Sequence, residues 1–406
     1  MKNVIVGQSG GPSPVINSSL AGVYVKAKEM GADIVYGMRH GIEGFLQEKI
    51  VDLGTVLTDQ AQVELLKKTP AAFLGSCRFK LPDPEKKPEV FEQIFALLNK
   101  YEIKAFIYIG GNDSMDTIRK LSDYAVSSGS DIKFVGAPKT IDNDLAETDH
   151  TPGFGSAAKF IAAMTKESIR DQVVYQNKTV YILEVMGRNA GWLTAATALS
   201  RGEDCTGPDL IYLPEVPFDL SKFREKVAQL LEKKNAITVA VSEGIHDAEG
   251  TYICEYASAD KAVDAFGHKQ MGGTASYLTQ YCAAEFGCKV RPIEFSTLQR
   301  CCAHISSLTD VNEAFASGSK AVEAALSGQN GLMATLVRES GDPYVCTIGL
   351  SDVHYISNVE RCVPLEWITD DGSGISDEFI KYARPLIMGE NPPIMVNGIP
   401  YHLVLK

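Results

Sequence analysis

The chain has 406 residues, too many for one ordinary hydrophobic core, so roughly two or three domains are expected. Its 51 acidic residues outnumber 39 basic ones, a formal net charge of -12, and no run of lysine and arginine builds a basic patch; nucleic acid is excluded as a general partner, while a small anion remains open to a few arginines in a cleft. No stretch nears the ~18 apolar residues of a membrane span, and nine scattered cysteines without a Cys-x-x-Cys pair point to reduced thiols in the cytoplasm, not to a structural zinc.

In chain order, the first predicted strand is Val4–Val6, which runs into a glycine turn, and Val15–Met30 reads as the helix after it. Asp33–Tyr36 is the next strand. Lys104–Ile109 (KAFIYI) has the apolar run of a strand buried on both faces, and Lys133–Val135 follows. The series continues with Thr179–Val185, Leu210–Leu213 and Ala236–Val241, then Gly331–Val337 and Tyr344–Ile348. Apolar strands between amphipathic helices imply an α/β protein with parallel sheets covered on both faces, doubly wound and in two units. The loop from Pro138 to about Gly155 is a candidate crossing between the units.

Ligands of open parallel sheets bind at the carboxyl ends of strands. Five predicted strands end in glycine and polar residues: Gly7-Gln8-Ser9-Gly10-Gly11-Pro12, Gly110-Gly111-Asn112-Asp113-Ser114, Pro138-Lys139-Thr140-Ile141-Asp142-Asn143-Asp144, Met186-Gly187-Arg188-Asn189-Ala190-Gly191 and Ser242-Glu243-Gly244. Gly10-Gly11 is either a tight turn or a turn that offers backbone N–H groups to phosphate at a helix N-terminus. It matches neither the Walker pattern nor GxGxxG, which disfavours a dinucleotide-dependent dehydrogenase. Asp113 or Ser114 reads equally as a helix N-cap. Asp142 and Asp144, beside Lys139 and Thr140, form a costly cluster if buried without function. As a site, one carboxylate acts as base toward a hydroxyl and another holds Mg²⁺ directly or through water. Arg188 is a surface residue or a bidentate phosphate clamp, and Glu243 is open in the same way.

Together SGGPxPxIN at Ser9–Asn17, LGSCRF at Leu74–Phe79, GGNDS at Gly110–Ser114, PKTIDND at Pro138–Asp144, EVMGRNAGW at Glu184–Trp192, SEG at Ser242–Gly244 and LQR at Leu298–Arg300 resemble the phosphofructokinase family, in its pyrophosphate-using branch. The resemblance implies two Rossmann-like domains and a C-terminal extension: residues 1–139 with about 299–350 for the phosphoryl donor, and about 140–298 with 351–406 for the sugar phosphate. It implies reversible, Mg²⁺-dependent transfer from pyrophosphate to the 1-hydroxyl of fructose 6-phosphate. On this resemblance Asp142 is the base, Asp144 supports it and the metal, and Thr140 contacts the transferring group. Arg78 and Gly10 hold donor phosphates. Met186, Gly187, Arg188 and Glu243 contact the sugar phosphate, and Arg291 and Arg300 bind its 6-phosphate, one of them across a subunit boundary of a homodimer or homotetramer.

Donor choice rests on Asp113 and Lys139, where ATP-using members generally have glycine. A carboxylate at Asp113 crowds and repels the α-phosphate of a nucleotide, and Lys139 holds a short donor. The departures from the family pattern are Asn112, where a metal-binding aspartate is common, Thr297 for histidine, and Lys178 for an arginine from a neighbouring subunit. They leave room for a second acceptor such as sedoheptulose 7-phosphate. An ATP-dependent phosphofructokinase and a non-catalytic sugar-phosphate-binding subunit are the alternatives. Beyond about Ser351, Tyr355, Arg361 and Trp367 are expected to serve packing.

Overall fold

The computed structural model describes residues 2–256 and 272–405. Its larger sheet uses β1 (Asn3–Gln8), β2 (Val35–Met38), β3 (Ile50–Asp52), β4 (Ile103–Gly110), β5 (Lys133–Pro138), β10 (Leu332–Gly341) and β11 (Tyr344–Asp352), in the spatial order β11-β10-β5-β4-β1-β2-β3. The smaller sheet uses β6 (Thr179–Val185), β7 (Leu210–Tyr212), β8 (Ala236–Ser242) and β9 (Lys289–Glu294), in the order β7-β8-β6-β9. All neighbours of the smaller sheet are parallel.

The larger sheet is not parallel throughout. Both edges are antiparallel: β3 pairs with β2, and β11 with β10. β10 and β11 are joined by a tight turn, and β2 and β3 by a link that holds the short helix Gly41–Phe45; neither needs the crossover of a parallel neighbour. Predicted strands are found near their expected places, but β3, β9 and the small antiparallel pair Met395–Val396 with Ile399–Pro400 were not foreseen. The reason for β9 is its position at a sheet edge: it carries Lys289, Arg291 and Glu294 outward and lacks the apolar run of a buried strand.

β1 and β6 are buried along their whole length, because helices cover both faces of their sheets. On one face of the larger sheet the helix Ile16–Glu29 packs against the helix Leu308–Leu326. Their backbones touch. A Cβ at Gly22 would lie 2.0 Å from the Phe315 carbonyl oxygen, and one at Gly318 would lie 2.0 Å from that of Ser19, so glycine is required at both positions. The Leu308–Leu326 helix also serves the other lobe. Its buried Asp310 accepts hydrogen bonds from the Gly153 and Ser156 amides at 2.9 and 2.8 Å, which caps the helix Phe154–Gln172.

After β11 the chain returns across the mouth between the sheets. Trp367 joins Trp192, Phe379 and Tyr382 in an aromatic cluster of the second core, so the packing role expected of it holds. The end of the chain goes back to the first core, where Leu403 and Leu405 pack. Residues 351–405 thus contact both lobes. Tyr355 is exposed and packs in neither core.

Candidate active site

The carboxyl ends of β1, β4 and β5 in one sheet face those of β6 and β8 in the other across a cleft of about 630 Å³. The glycine–polar segments of all five strand ends line it, together with Arg78, Tyr252, Arg300, Asn358 and Glu360. Of the residues singled out from sequence, Gly10, Arg78, Asn112, Asp113, Lys139, Thr140, Asp142, Asp144, Met186, Gly187, Arg188, Glu243 and Arg300 are brought together here. Arg291 is not. It is exposed on β9, the outer edge of the smaller sheet.

Gly10 sits at φ +76°, in the left-handed region that glycine enters without strain. Its N–H donates to the Cys77 carbonyl at 3.1 Å, tying the turn to the Arg78 segment. Its N–H is therefore committed, and what Gly10 offers a ligand is room: a Cβ there would stand 3.4 Å from the Lys139 ammonium. Lys139 is 4% exposed and donates to the Gly11 carbonyl at 2.6 Å. Burial pushes its ammonium down to about 8; Asp142 and Asp144 pull it up, while Arg300 and Arg78 press it down further.

The two carboxyls opposite are shifted the other way. Burial, then the nearby Glu243, raises Asp142 to about 6 against the pull of Lys139, Arg300 and Arg188. Burial and repulsion from Asp142 raise Asp144, with Glu360 adding to the shift and the Thr140 hydroxyl opposing it. Burial raises Glu243 as well, although the Gly187 amide donates to it at 3.4 Å. Both polarities are thus held toward their neutral forms.

The loop that carries these groups is rigid because of Asn143, which lies between them and is fully buried at φ +55°. Asparagine tolerates this backbone better than most residues. Its Oδ1 accepts from the Thr151 amide at 3.0 Å, and its Nδ2 donates to the Tyr382 hydroxyl at 3.0 Å. The Asp142 amide donates to the Thr140 hydroxyl at 3.0 Å. Arg300 ends the short turn Ser296–Arg300, and its buried Nε has no hydrogen-bond partner among the described residues. A buried guanidinium nitrogen in that condition suits an anion.

Asn112, expected to help hold a metal, has a second task. It opens the helix Asn112–Ser128, and its amide is engaged at both ends by the C-terminal segment. Its Nδ2 donates to the Val359 carbonyl at 2.7 Å, and its Oδ1 accepts from the Asn358 amide at 2.5 Å. Asn358, Glu360 and Tyr252 were not foreseen in the cleft. No local signal marks the first two: Asn358 lies 246 residues beyond its partner Asn112, and Glu360 lies 171 beyond its partner Asn189.

A phosphofructokinase family model matches residues 3–293. A pyrophosphate–fructose 6-phosphate 1-phosphotransferase of Xanthomonas campestris pv. campestris is 39% identical over 407 residues, covering 100% of this chain and 96% of its own length. A protein of the same name from Halomonas elongata is 38% identical, with 98% and 94% covered. A crystal structure of a pyrophosphate-dependent phosphofructokinase from Nitrosospira multiformis is similar with a TM-score of 0.89 and 36% identity, over 100% of this chain and 96% of that one. With a cleft of this composition and likeness along its whole length, the chain belongs to the phosphofructokinase family.

Proposed function

We propose that the chain transfers a phosphoryl group reversibly between pyrophosphate and the 1-hydroxyl of fructose 6-phosphate, with Mg²⁺. The observation that carries this reading is the meeting of a buried lysine, a pair of raised carboxyls and three arginines in one cleft. Phosphoryl transfer is mostly positioning and charge neutralisation, and these groups provide both.

Asp142 takes the proton of the 1-hydroxyl as that oxygen attacks the terminal phosphorus. The bond to the bridging oxygen breaks, and phosphate leaves with the electron pair. Lys139 and Arg78 balance the charge that develops, and Thr140 orients the transferring group. Asp113 and Lys139 select a short donor. Arg188 and Arg300 bind the sugar phosphate, with Met186, Gly187 and Glu243 around the sugar. Arg291, exposed on the outer strand, fits a homodimer or homotetramer in which it serves a neighbouring copy's cleft.

The hard oxygen of Asp144 suits Mg²⁺, and a divalent cation beside it would relieve the repulsion from Asp142 and Glu360. When bound, the ion neutralises phosphate oxygens. The free thiols of all nine cysteines accord with a cytoplasmic setting.

The test is initial rates with fructose 6-phosphate and Mg²⁺, comparing pyrophosphate with ATP. Turnover with pyrophosphate and little with ATP is expected. Turnover with ATP alone would overturn the donor assignment, and turnover with neither would overturn the reaction.

A further inference from the structure

We propose that residues 358–361 form a fixed wall at the donor end of the cleft, latched there by Asn112, and that this wall still excludes long donors when the Asp113 carboxylate is removed. The inference rests on the donor assignment above and adds a second determinant to it.

The latch is specific. Asn112 holds the segment through both ends of its amide, as described, and the Asn358 side chain donates to Asp116 Oδ1 at 3.4 Å. Residues 112 and 116 are one helical turn apart and share a face. Asp113 stands between them in sequence, so the segment is laid against the very turn that carries Asp113. Asn112, Asp113, Asn358 and Glu360 all line the cleft. A donor that extends past Asp113 along this turn meets the segment next.

The segment is built as a wall, not a lid. Asn358 takes φ +62°, and the chain beyond it is bolted to the active-site loop. Glu360 bridges Leu145, and the Arg361 amide donates to the Asp144 carbonyl at 2.8 Å. The Arg361 guanidinium donates to the Asn143, Thr148 and Asp149 carbonyls and lies 4.6 Å above the Trp192 ring. The Val363 amide donates to Glu215 at 2.9 Å, and Asn189 donates to both oxygens of Glu360 at 3.0 Å. Both lobes therefore hold it.

The consequence is that removing the Asp113 carboxylate alone leaves the wall standing. The experiment uses the full chain with Asp113→Gly, Asn112→Ala and the double variant. It measures binding of a non-hydrolysable ATP analogue by calorimetry and kcat/KM with ATP, after thermal melts have shown each variant folded. The double variant is expected to exceed the product of the two single effects by at least roughly tenfold, the signature of coupled sites. Full analogue binding by Asp113→Gly with no further gain from Asn112→Ala sinks the proposal. So does a folded double variant that gains nothing. Should Asn112→Ala not fold, Asn112→Asp keeps the acceptor for the Asn358 amide and loses the donor to Val359, and the same coupling with Asp113→Gly decides. Wild-type turnover with pyrophosphate is the separate control. Its absence would remove the donor assignment, whereas analogue binding reads the wall whether or not transfer occurs.

Discussion

Two buried charge clusters lie at the two ends of the loop 140–151, and they are shifted in opposite directions. In the cleft, Asp142 and Asp144 are raised and Lys139 is lowered, so each moves toward its uncharged form. Around His150 the shifts favour charge. Its ring nitrogens lie 2.8 Å from Asp149 and 2.7 Å from Glu313, and these bonds raise the imidazole above its usual value although burial opposes them. Burial also works against Asp149, yet hydrogen bonds from His150 and Arg338 hold it below the usual carboxylate range. The Tyr344 hydroxyl donates to the other oxygen of Glu313 at 2.6 Å. Where charges are matched one to one, burial strengthens the pairing. Where they are gathered without matched partners, burial leaves them reactive.

His150, Glu313 and Cys346 are the one trio among the described residues close enough to hold a metal. Both ring nitrogens already face carboxylates, and these bonds favour the protonated ring. A metal needs the neutral ring. The trio belongs to an ion-pair network that ties β10 and β11 to the active-site loop.

The largest effect is expected from Asp142→Ser, which should lower kcat by about 10²–10⁴ while leaving fructose 6-phosphate binding nearly intact. The melting temperature should hold or rise, because an unmatched buried carboxyl is removed. Near-wild-type turnover would take the base role from Asp142. Next is Glu313→Ala, which leaves the His150 ring paired with Asp149 alone and the Tyr344 hydroxyl without its acceptor, and should destabilise the fold by about 3–5 kcal/mol in denaturant titration, with kcat of the folded fraction within about twofold. A kcat loss as large as that of Asp142→Ser would erase the distinction between the clusters.

A smaller effect follows from pH. The folded pKa of His150 lies above its ordinary 6.5, so its stabilisation is complete below that value and is lost as pH rises through the raised value. The groups facing it are Asp149, Glu313, Tyr344, Cys346 and Arg338. Melting temperature should fall as pH rises above 6.5, and His150→Gln should flatten that slope; an equal slope in both would contradict the protonated ring. The smallest effect is that of Zn²⁺, which should leave the melting temperature unchanged at pH 6.5. Stabilisation by zinc that disappears in Cys346→Ser would revive the metal reading.

Much of the cleft was legible because its parts are local. The turn after β1 needs glycine at Gly10, and the loop after β5 carries Lys139, Asp142 and Asp144 within six residues, so strand plus following turn already names the place and the chemistry. Asn143 stood inside that motif, but its task of holding the loop through Thr151 and Tyr382 shows only when the second partner arrives from position 382. Edge strand β9 hid behind its charges, and with it the outward position of Arg291.

The sequence by itself determined the two parallel-sheet lobes, since buried strands need apolar runs and their ends need glycine, and it determined the chemical kind of site at those ends. Tertiary structure decided which residues complete the site. The contacts from Asn112 to Asn358 and Val359, from Asp144 to Arg361 and from Asp310 to Gly153 join segments far apart in the chain. Such pairings leave no periodicity and no local propensity, because each is chosen by where the folded backbone places two groups and not by what stands beside them in sequence.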